Sequence, residues 1–309
     1  KGCLRLTIID AVAPNRLKAR ATPCPPSASG DGLIGMKEMA RNHAKRRNAP
    51  GPAGQDGSPR PRQDRPRNRS GGDGEGWLWG THAVAAALAN PARTLHQLLA
   101  TENAAARLGP ARITPEIILG KDLDNRLPPG AVHQGLALKV APLNPASLED
   151  LIDRDISRIC VLDQVSDPHN LGAIYRSAAA FGFNGIVLQT RHAPPITGVV
   201  AKAAVGAIET VAEARVVNIA RALEQLADAG YHTVGLDGGG RRILADAVAG
   251  APKIAIVMGA EGSGLRPAVA KACAELARIP MTEVMESLNV SNAAAIAFYE
   301  ASREGFPPR

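Results

Sequence analysis

Three polar segments interrupt an otherwise aliphatic chain, and their residue types set out the chemistry available to it. The first, DQVSDPHNLGAIYRSAAAFG at 163–182, places the turn-forming run Asp167–Pro168–His169–Asn170 before a helix. Asn170 is a suitable N-cap there, and Arg176 follows less than two helical turns later. A capped helix with a solvated arginine and a polar ligand site account for this segment equally well. The second, VMGAEGSGLRP at 257–267, spaces Gly259, Gly262 and Gly264 around Glu261. The glycines allow close backbone approach or positive φ. The loop lacks the GK[ST] ending of a phosphate loop and does not open an early βαβ unit. Glu261 either anchors neighbouring backbone amides, the simpler reading of a lone carboxylate, or faces a ligand. In the third, RIPMTEVMESLNVSNAAAIAFYEASR at 278–303, Ser287, Asn289, Ser291 and Asn292 supply more capping groups than one helix needs. Some of them are expected to face a ligand.

Each segment follows an expected strand. Ligands of open parallel sheets bind at the carboxyl ends of strands. From Arg158 onward apolar strands (ICVLDQV, GIVLQT, YHTVGLD, KIAIVMG) alternate with helices (LGAIYRSAAAFG, VVAKAAVGAI, NIARALEQLADAG, RPAVAKACAEL, NAAAIAFYEASR). That alternation predicts an α/β fold whose parallel sheet is covered on both faces. Before it, WLWGTHAVAAALAN, LHQLLAT, PEIILG and QGLALKV read as a strand, a turn at Gly80, a helix and three further strands of a small α/β domain over 76–145. Residues 146–157, with the acidic helix SLEDLIDRD, read as a linker.

The 309 residues hold 36 Lys and Arg against 29 Asp and Glu, but the excess is local. Residues 1–69 carry a formal +10 and the remainder −3. The stretch from Pro50 to Gly76 is dominated by Gly, Pro, Arg, Asp and Ser, so residues 1–75 are expected to be a disordered basic tail. It either attracts phosphates in a salt-sensitive way or merely solubilises the chain. The first methionine is Met36, which leaves open whether residues 1–35 belong to the natural protein. Cys3, Cys24, Cys160 and Cys273 have no metal-like spacing. With no membrane-length apolar run and no clear signal peptide, the expectation is a reducing, cytoplasmic setting without a structural metal.

Taken in order, NLGAIYRSA, MGAEGSGL and IPM…ESLNVSNAAAI resemble the three motifs of the SpoU (TrmH) family of RNA 2′-O-ribose methyltransferases. The match covers roughly 158–304, and WGTHAV with AVHQGLALKV resembles the family's L30e-like substrate-binding domain. The arrangement is closest to the bacterial enzymes that methylate a guanosine of 23S rRNA, with tRNA as the alternative substrate. The resemblance implies a C-terminal trefoil knot within 158–309, which periodicity cannot suggest. It also implies a homodimer with active sites near the subunit interface, and S-adenosylmethionine as methyl donor. By position, Gly259, Ile279 and Leu288 would contact the cofactor through backbone groups, with Met258 and Met281 nearby. Asn170, Arg176, Glu261, Ser287 and Asn289 match the family's functional polar positions, and Arg303 a further RNA-facing arginine.

Because the donor methyl is already activated, the protein must align the ribose oxygen and deal with its proton. Family proposals make the motif-one arginine, here Arg176, the activator of the hydroxyl. A guanidinium is a poor base, so its expected role is to clamp phosphate and stabilise developing negative charge. His133 and Gln134 could touch RNA or stabilise a turn. Two rivals stay open. A dinucleotide enzyme needs a glycine fingerprint after the first strand, which DQVSDPHNLG does not supply. A catalytically silent RNA-binding or ribosome-assembly factor could share the fold.

Overall fold

The computed structural model describes residues 76–282, 284 and 286–303, and the tail expected at 1–75 lies outside them. The first described elements build a four-stranded sheet. They are β1 (Gly76–Trp79), α1 (Thr81–Ala89), β2 (Leu95–Ala100), α2 (Glu102–Ala105), β3 (Glu116–Ile117), α3 (Gly120–Arg126) and β4 (Leu136–Val140). The strand order is β1-β4-β2-β3, with β4 antiparallel to both neighbours and β3 parallel to β2. Gly80, at φ 89°, makes the expected turn into α1. The strand expected from PEIILG shrinks to two exposed residues, because Gly120 opens α3 and the side chains have no face to bury.

The segment read as a linker contains α4 (Leu148–Asp153). Ser147 and Asp150 close a reciprocal capping box at 2.9 Å in both directions. Leu148 and Leu151 are buried in the core beneath it.

The second sheet is built from β5 (Arg158–Leu162), α5 (Pro168–Ala180), β6 (Gly185–Gln189), α6 (Gly198–Ala204), a 3-10 turn at Ala207–Glu209, β7 (Ala212–Val216) and α7 (Ile219–Asp228). It continues through β8 (His232–Leu236), β9 (Arg242–Ile243), α8 (Leu244–Val248), β10 (Ile254–Met258), α9 (Pro267–Ala272), β11 (Glu275–Arg278) and α10 (Val290–Ser302). Its seven strands run β7-β6-β5-β10-β8-β11-β9, parallel throughout. The expected α/β fold with a parallel sheet is therefore present. Alternate residues of β5 and β10 face opposite layers. Cys160, Leu162, Ile256 and Met258 join Ile174, Tyr175 and Phe298, whereas Val161, Ala255 and Val257 join Leu223, Leu226 and Val269. The last helix returns to α5, where Phe298 stacks on Phe183 with centroids 4.1 Å apart and Ser302 Oγ donates to Phe181 O at 2.8 Å.

Several boundaries differ from expectation. The helix read through RPAVAKACAEL stops at Ala272, and Glu275–Arg278 becomes β11, whose Ala277 is buried beside β8. VVAKAAVGAI breaks where Val205 and Gly206 turn left-handed. Strand β7 was not expected. It lies at the sheet edge and buries only Ala214, so its alternating Glu and Arg hide the apolar signal. Helix α8 and the two-residue β9 were missed for want of length.

The four-stranded sheet docks onto α6. A Cβ on Gly198 would fall 1.9 Å from the Trp79 ring and 2.3 Å from Trp77 O, so only glycine admits this contact. At the far end Arg93 pairs with Glu209, Nη2 to Oε1 at 2.6 Å, and their side chains are 3% and 5% exposed. Asn90 Nδ2 donates to the same carboxylate at 2.7 Å, and Arg93 Nη1 to Ala141 O at 2.9 Å.

Candidate active site

The carboxyl ends of β5, β8, β10 and β11 meet the three polar segments. Asp167, rather than the expected Asn170, caps α5. Its side chain accepts from His169 N at 3.0 Å, with Pro168 in the first turn where its missing N–H costs nothing. That arrangement releases Asn170, which is 8% exposed, to use its side chain elsewhere. Asn170 Nδ2 donates to Glu261 Oε1 at 2.6 Å. Asn289 Nδ2 donates to Asn170 Oδ1 at 3.1 Å and to Glu261 Oε1 at 2.9 Å. The other side of the Asn289 amide caps α10, its Oδ1 accepting from Ser291 N at 2.9 Å and Asn292 N at 3.4 Å. One asparagine therefore serves both readings of the third segment, helix cap and site residue. Glu261 anchors side-chain amides, not the backbone amides first expected.

Beside this cluster lies a cavity of about 690 Å3. Met258, Gly259, Ile279, Met281 and Leu288 all line it, so the residues matched by position to cofactor contacts surround one space, and Ser287 lines it beside them. Glu261 and Asn289 form part of its wall. The glycine turn closes on itself, Ala260 N to Gly264 O at 3.2 Å and Gly264 N to Ala260 O at 3.0 Å. A Cβ on Gly259 would sit 2.1 Å from the Gly264 carbonyl carbon, so this turn requires glycine there. Asp237 and Glu286 also line the cavity and were missed. Asp237 directly follows β8, so the strand-end rule that singled out the other segments could have found it. Among the described residues the lining includes three carboxylates, those of Asp237, Glu261 and Glu286, and no Lys, Arg or His.

Arg176 is not brought into the cluster. It lies on the exposed face of α5, and its side chain makes no hydrogen bond or ion pair among the described residues. Arg303 follows α10, its side chain 54% exposed and 3.4 Å from Glu300. His133 and Gln134 hold a turn. His133 Nδ1 accepts from Gly135 N at 2.9 Å, and Gln134, at φ 55°, accepts from Thr81 N at 3.1 Å and Lys202 Nζ at 2.8 Å. Burial pushes the Cys160 thiol far above its ordinary range, and burial aided by the Asp163 charge pushes Cys273 up to about 12. Among the described residues no group of three or more His, Cys, Asp or Glu could hold a metal ion. No helix among them is long and apolar enough to cross a membrane.

Two family models match. Residues 157–299 match the SpoU rRNA methylase family, and 77–146 match the RNA 2′-O ribose methyltransferase substrate-binding family. An uncharacterized tRNA/rRNA methyltransferase of Mycobacterium tuberculosis is 38% identical over 229 residues, covering 71% of this chain and 70% of the relative. Its counterpart in Mycobacterium marinum is 41% identical over 187 residues, 59% of this chain and 60% of the relative. Among solved structures, the SpoU methyltransferase AviRb from Streptomyces viridochromogenes, in complex with the cofactor AdoMet, superimposes with a TM-score of 0.63 at 23% identity. That match covers 76% of this chain and 92% of AviRb. An AdoMet-bound rRNA methyltransferase from Sinorhizobium meliloti gives 0.63 at 23% identity over 75% and 88%. These structural likenesses concern the fold. The family models and the mycobacterial relatives together establish that the chain belongs to the SpoU family of S-adenosylmethionine-dependent RNA methyltransferases.

Proposed function

We propose that this chain transfers a methyl group from S-adenosylmethionine to a ribose 2′-hydroxyl of structured RNA, a guanosine of 23S rRNA being the favoured target. The observation that supports this most directly is the Asn170–Glu261–Asn289 cluster, of which Glu261 and Asn289 form part of the cavity wall. The cavity suits the cofactor. Its volume is that of a small-molecule site, and Met258, Ile279 and Leu288 offer apolar surface to an adenine ring. Three carboxylates, with no cation beside them among the described residues, match a ligand bearing a sulfonium and an ammonium, and would repel the pyrophosphate of a dinucleotide. When bound, S-adenosylmethionine supplies an activated methyl group.

The residues of the chain then have separable tasks. The glycine turn and the backbone around Ile279 and Leu288 hold the cofactor. The two asparagines fix the Glu261 carboxylate at the acceptor side, with Ser287 at the rim. Arg176 clamps an RNA phosphate and stabilises negative charge developing on the ribose oxygen, an electrostatic role for a group that does not give up its proton. Because Arg176 stands outside its own chain's cluster, a homodimer completes the site. The exposed Ile296 and Tyr299 of α10 supply apolar surface for it. The four-stranded sheet is read as the L30e-like substrate-binding domain, and Arg303 as a further RNA contact. The C-terminal part of the sheet is read as a trefoil knot. Placement of β10 between β5 and β8 and the return of α10 to α5 fit such threading.

Mapping ribose methylation across 23S rRNA and tRNA in cells with and without the gene tests activity and target together. Loss of one 23S guanosine mark upholds the proposal. A lost tRNA mark reassigns the substrate, and an unchanged map with no methyl transfer in vitro supports a silent binding factor.

A further inference from the structure

The glycine turn is anchored at both ends by one buried residue that lies outside the cavity lining. Asp163, fully buried, follows β5. Its backbone N–H donates to Met258 O at 2.8 Å, the last residue before the turn. Its carboxylate receives Arg266, just beyond the turn. Arg266 Nε lies 2.9 Å from Oδ1 and 3.1 Å from Oδ2, Nη2 lies 2.6 Å from Oδ1, and the Arg266 backbone N–H donates to Oδ2 at 3.1 Å. Both oxygens are satisfied, and Nε and Nη2 form the bidentate side of the guanidinium fork. Desolvating the buried Asp163 carboxylate offsets much of what its pairing with Arg266 gains. What the pair supplies is register.

We propose that Asp163 and Arg266 are positioning residues for methyl transfer: they buckle the 259–265 turn so that its backbone meets the cofactor and Glu261 meets Asn170 and Asn289. The proposal rests on the cofactor reading of the cavity given above. Without the buckle the turn keeps its Ala260–Gly264 pair but loses its fixed relation to β5, and with it the alignment of Glu261. Neither residue lines the cavity, so their effect passes through the turn.

The test compares wild type, Arg266→Ala and Arg266→Lys by amide hydrogen exchange and by calorimetric titration with S-adenosylmethionine. The side chain of Arg266 is 39% exposed, so its truncation opens no core cavity, but it leaves the buried Asp163 carboxylate without its counter-ion, and thermal stability is followed alongside. In Arg266→Ala, exchange at Ala260 and Gly264 should quicken at least tenfold while β5 and β10 amides stay protected, and Kd for the cofactor should rise about tenfold or more. Lysine keeps a charge but not the fork, and should fall between. Should the alanine variant not fold, the lysine variant decides by the same two readouts. Unchanged exchange and affinity overturn the proposal, as does equal loosening of β5 and β10, which marks a merely structural pair. A wild-type protein that does not bind S-adenosylmethionine sinks the cofactor reading instead, and the exchange comparison still decides whether the buckle exists.

Discussion

Asn170 Nδ2 lies 2.6 Å from Glu261 Oε1, a bond between a helix and a glycine turn 91 residues apart in sequence. Hydrogen bonds to a charged group contribute roughly 1.5–3 kcal/mol, so truncating Asn170 to alanine should lower single-turnover methyl transfer about 10- to 100-fold. Glu261→Gln keeps the shape but replaces an acceptor facing two amides with another amide, and should lose as much. Cofactor affinity and thermal stability distinguish a site effect from misfolding.

Asn289 separates its two tasks by substitution. Alanine removes the α10 cap, at about 1 kcal/mol, together with the reach to Asn170 and Glu261. Serine keeps a capping oxygen and loses the reach. The expected pattern is a melting temperature restored in Asn289→Ser relative to Asn289→Ala, with activity low in both. Recovery of activity by serine would make Asn289 a helix cap only.

The docking of the four-stranded sheet depends on Glu209, which meets Arg93 and Asn90 in a nearly dry contact. Glu209→Ala leaves the Arg93 guanidinium buried without its counter-ion, a loss of about 3–5 kcal/mol for such pairs. Denaturant unfolding should show that loss, or an early transition in which the 76–140 region separates first. A change below about 1 kcal/mol would mean that water replaces the carboxylate. Gly198→Ala, forced against Trp77 and Trp79, should destabilise the same contact.

How much of this was legible beforehand depended on the residue. The apolar runs of β5, β6, β8 and β10 revealed a parallel sheet, because strands buried on both faces have no polar positions to blur them. Edge strand β7 keeps Glu213 and Arg215 in its run, and six-residue α9 gives way to β11 inside one continuous apolar pattern, so both boundaries were illegible. Of the surplus capping groups before α10, Asn289 both caps the helix and reaches Asn170 and Glu261. Read locally, Asn170 was a helix cap, and only the family resemblance marked it as a functional position. Nothing local says that Asp167 takes that role and frees it. The Asp163–Arg266 pair joins residues 103 apart, which no spacing rule connects.

Thiol chemistry follows from burial. With the Cys160 thiol held far above its ordinary range and that of Cys273 raised to about 12, neither forms much thiolate in the native protein near pH 8. Both should resist a disulfide reagent until the protein is denatured. The sign for stability follows. A thiol raised on folding contributes fully below its unfolded value near 9, and that contribution fades as pH climbs from there through about 12. Alkaline unfolding of Cys273→Ala should therefore be less steep across that window than that of the parent.

Arg176 offers the sharpest test of the proposed mechanism, because its own chain gives it no partner among the described residues. If it clamps phosphate and stabilises the forming alkoxide, Arg176→Ala should lose about 2.7–4 kcal/mol of transition-state stabilisation, by analogy with a lost oxyanion donor. That corresponds to roughly 10²–10³ in single-turnover rate. Arg176→Lys retains the charge without the planar fork and should fall between alanine and wild type. Cofactor affinity should be nearly the same in all three proteins, since Arg176 does not line the cavity. Mixing Arg176→Ala with Glu261→Gln adds a further reading. If a second copy supplies the arginine, mixed dimers regain one intact site and part of the activity lost by each variant alone. If each site uses its own arginine, mixing restores nothing. Near-wild-type turnover by Arg176→Ala would leave it a solvated helix residue and pass charge stabilisation to another cation.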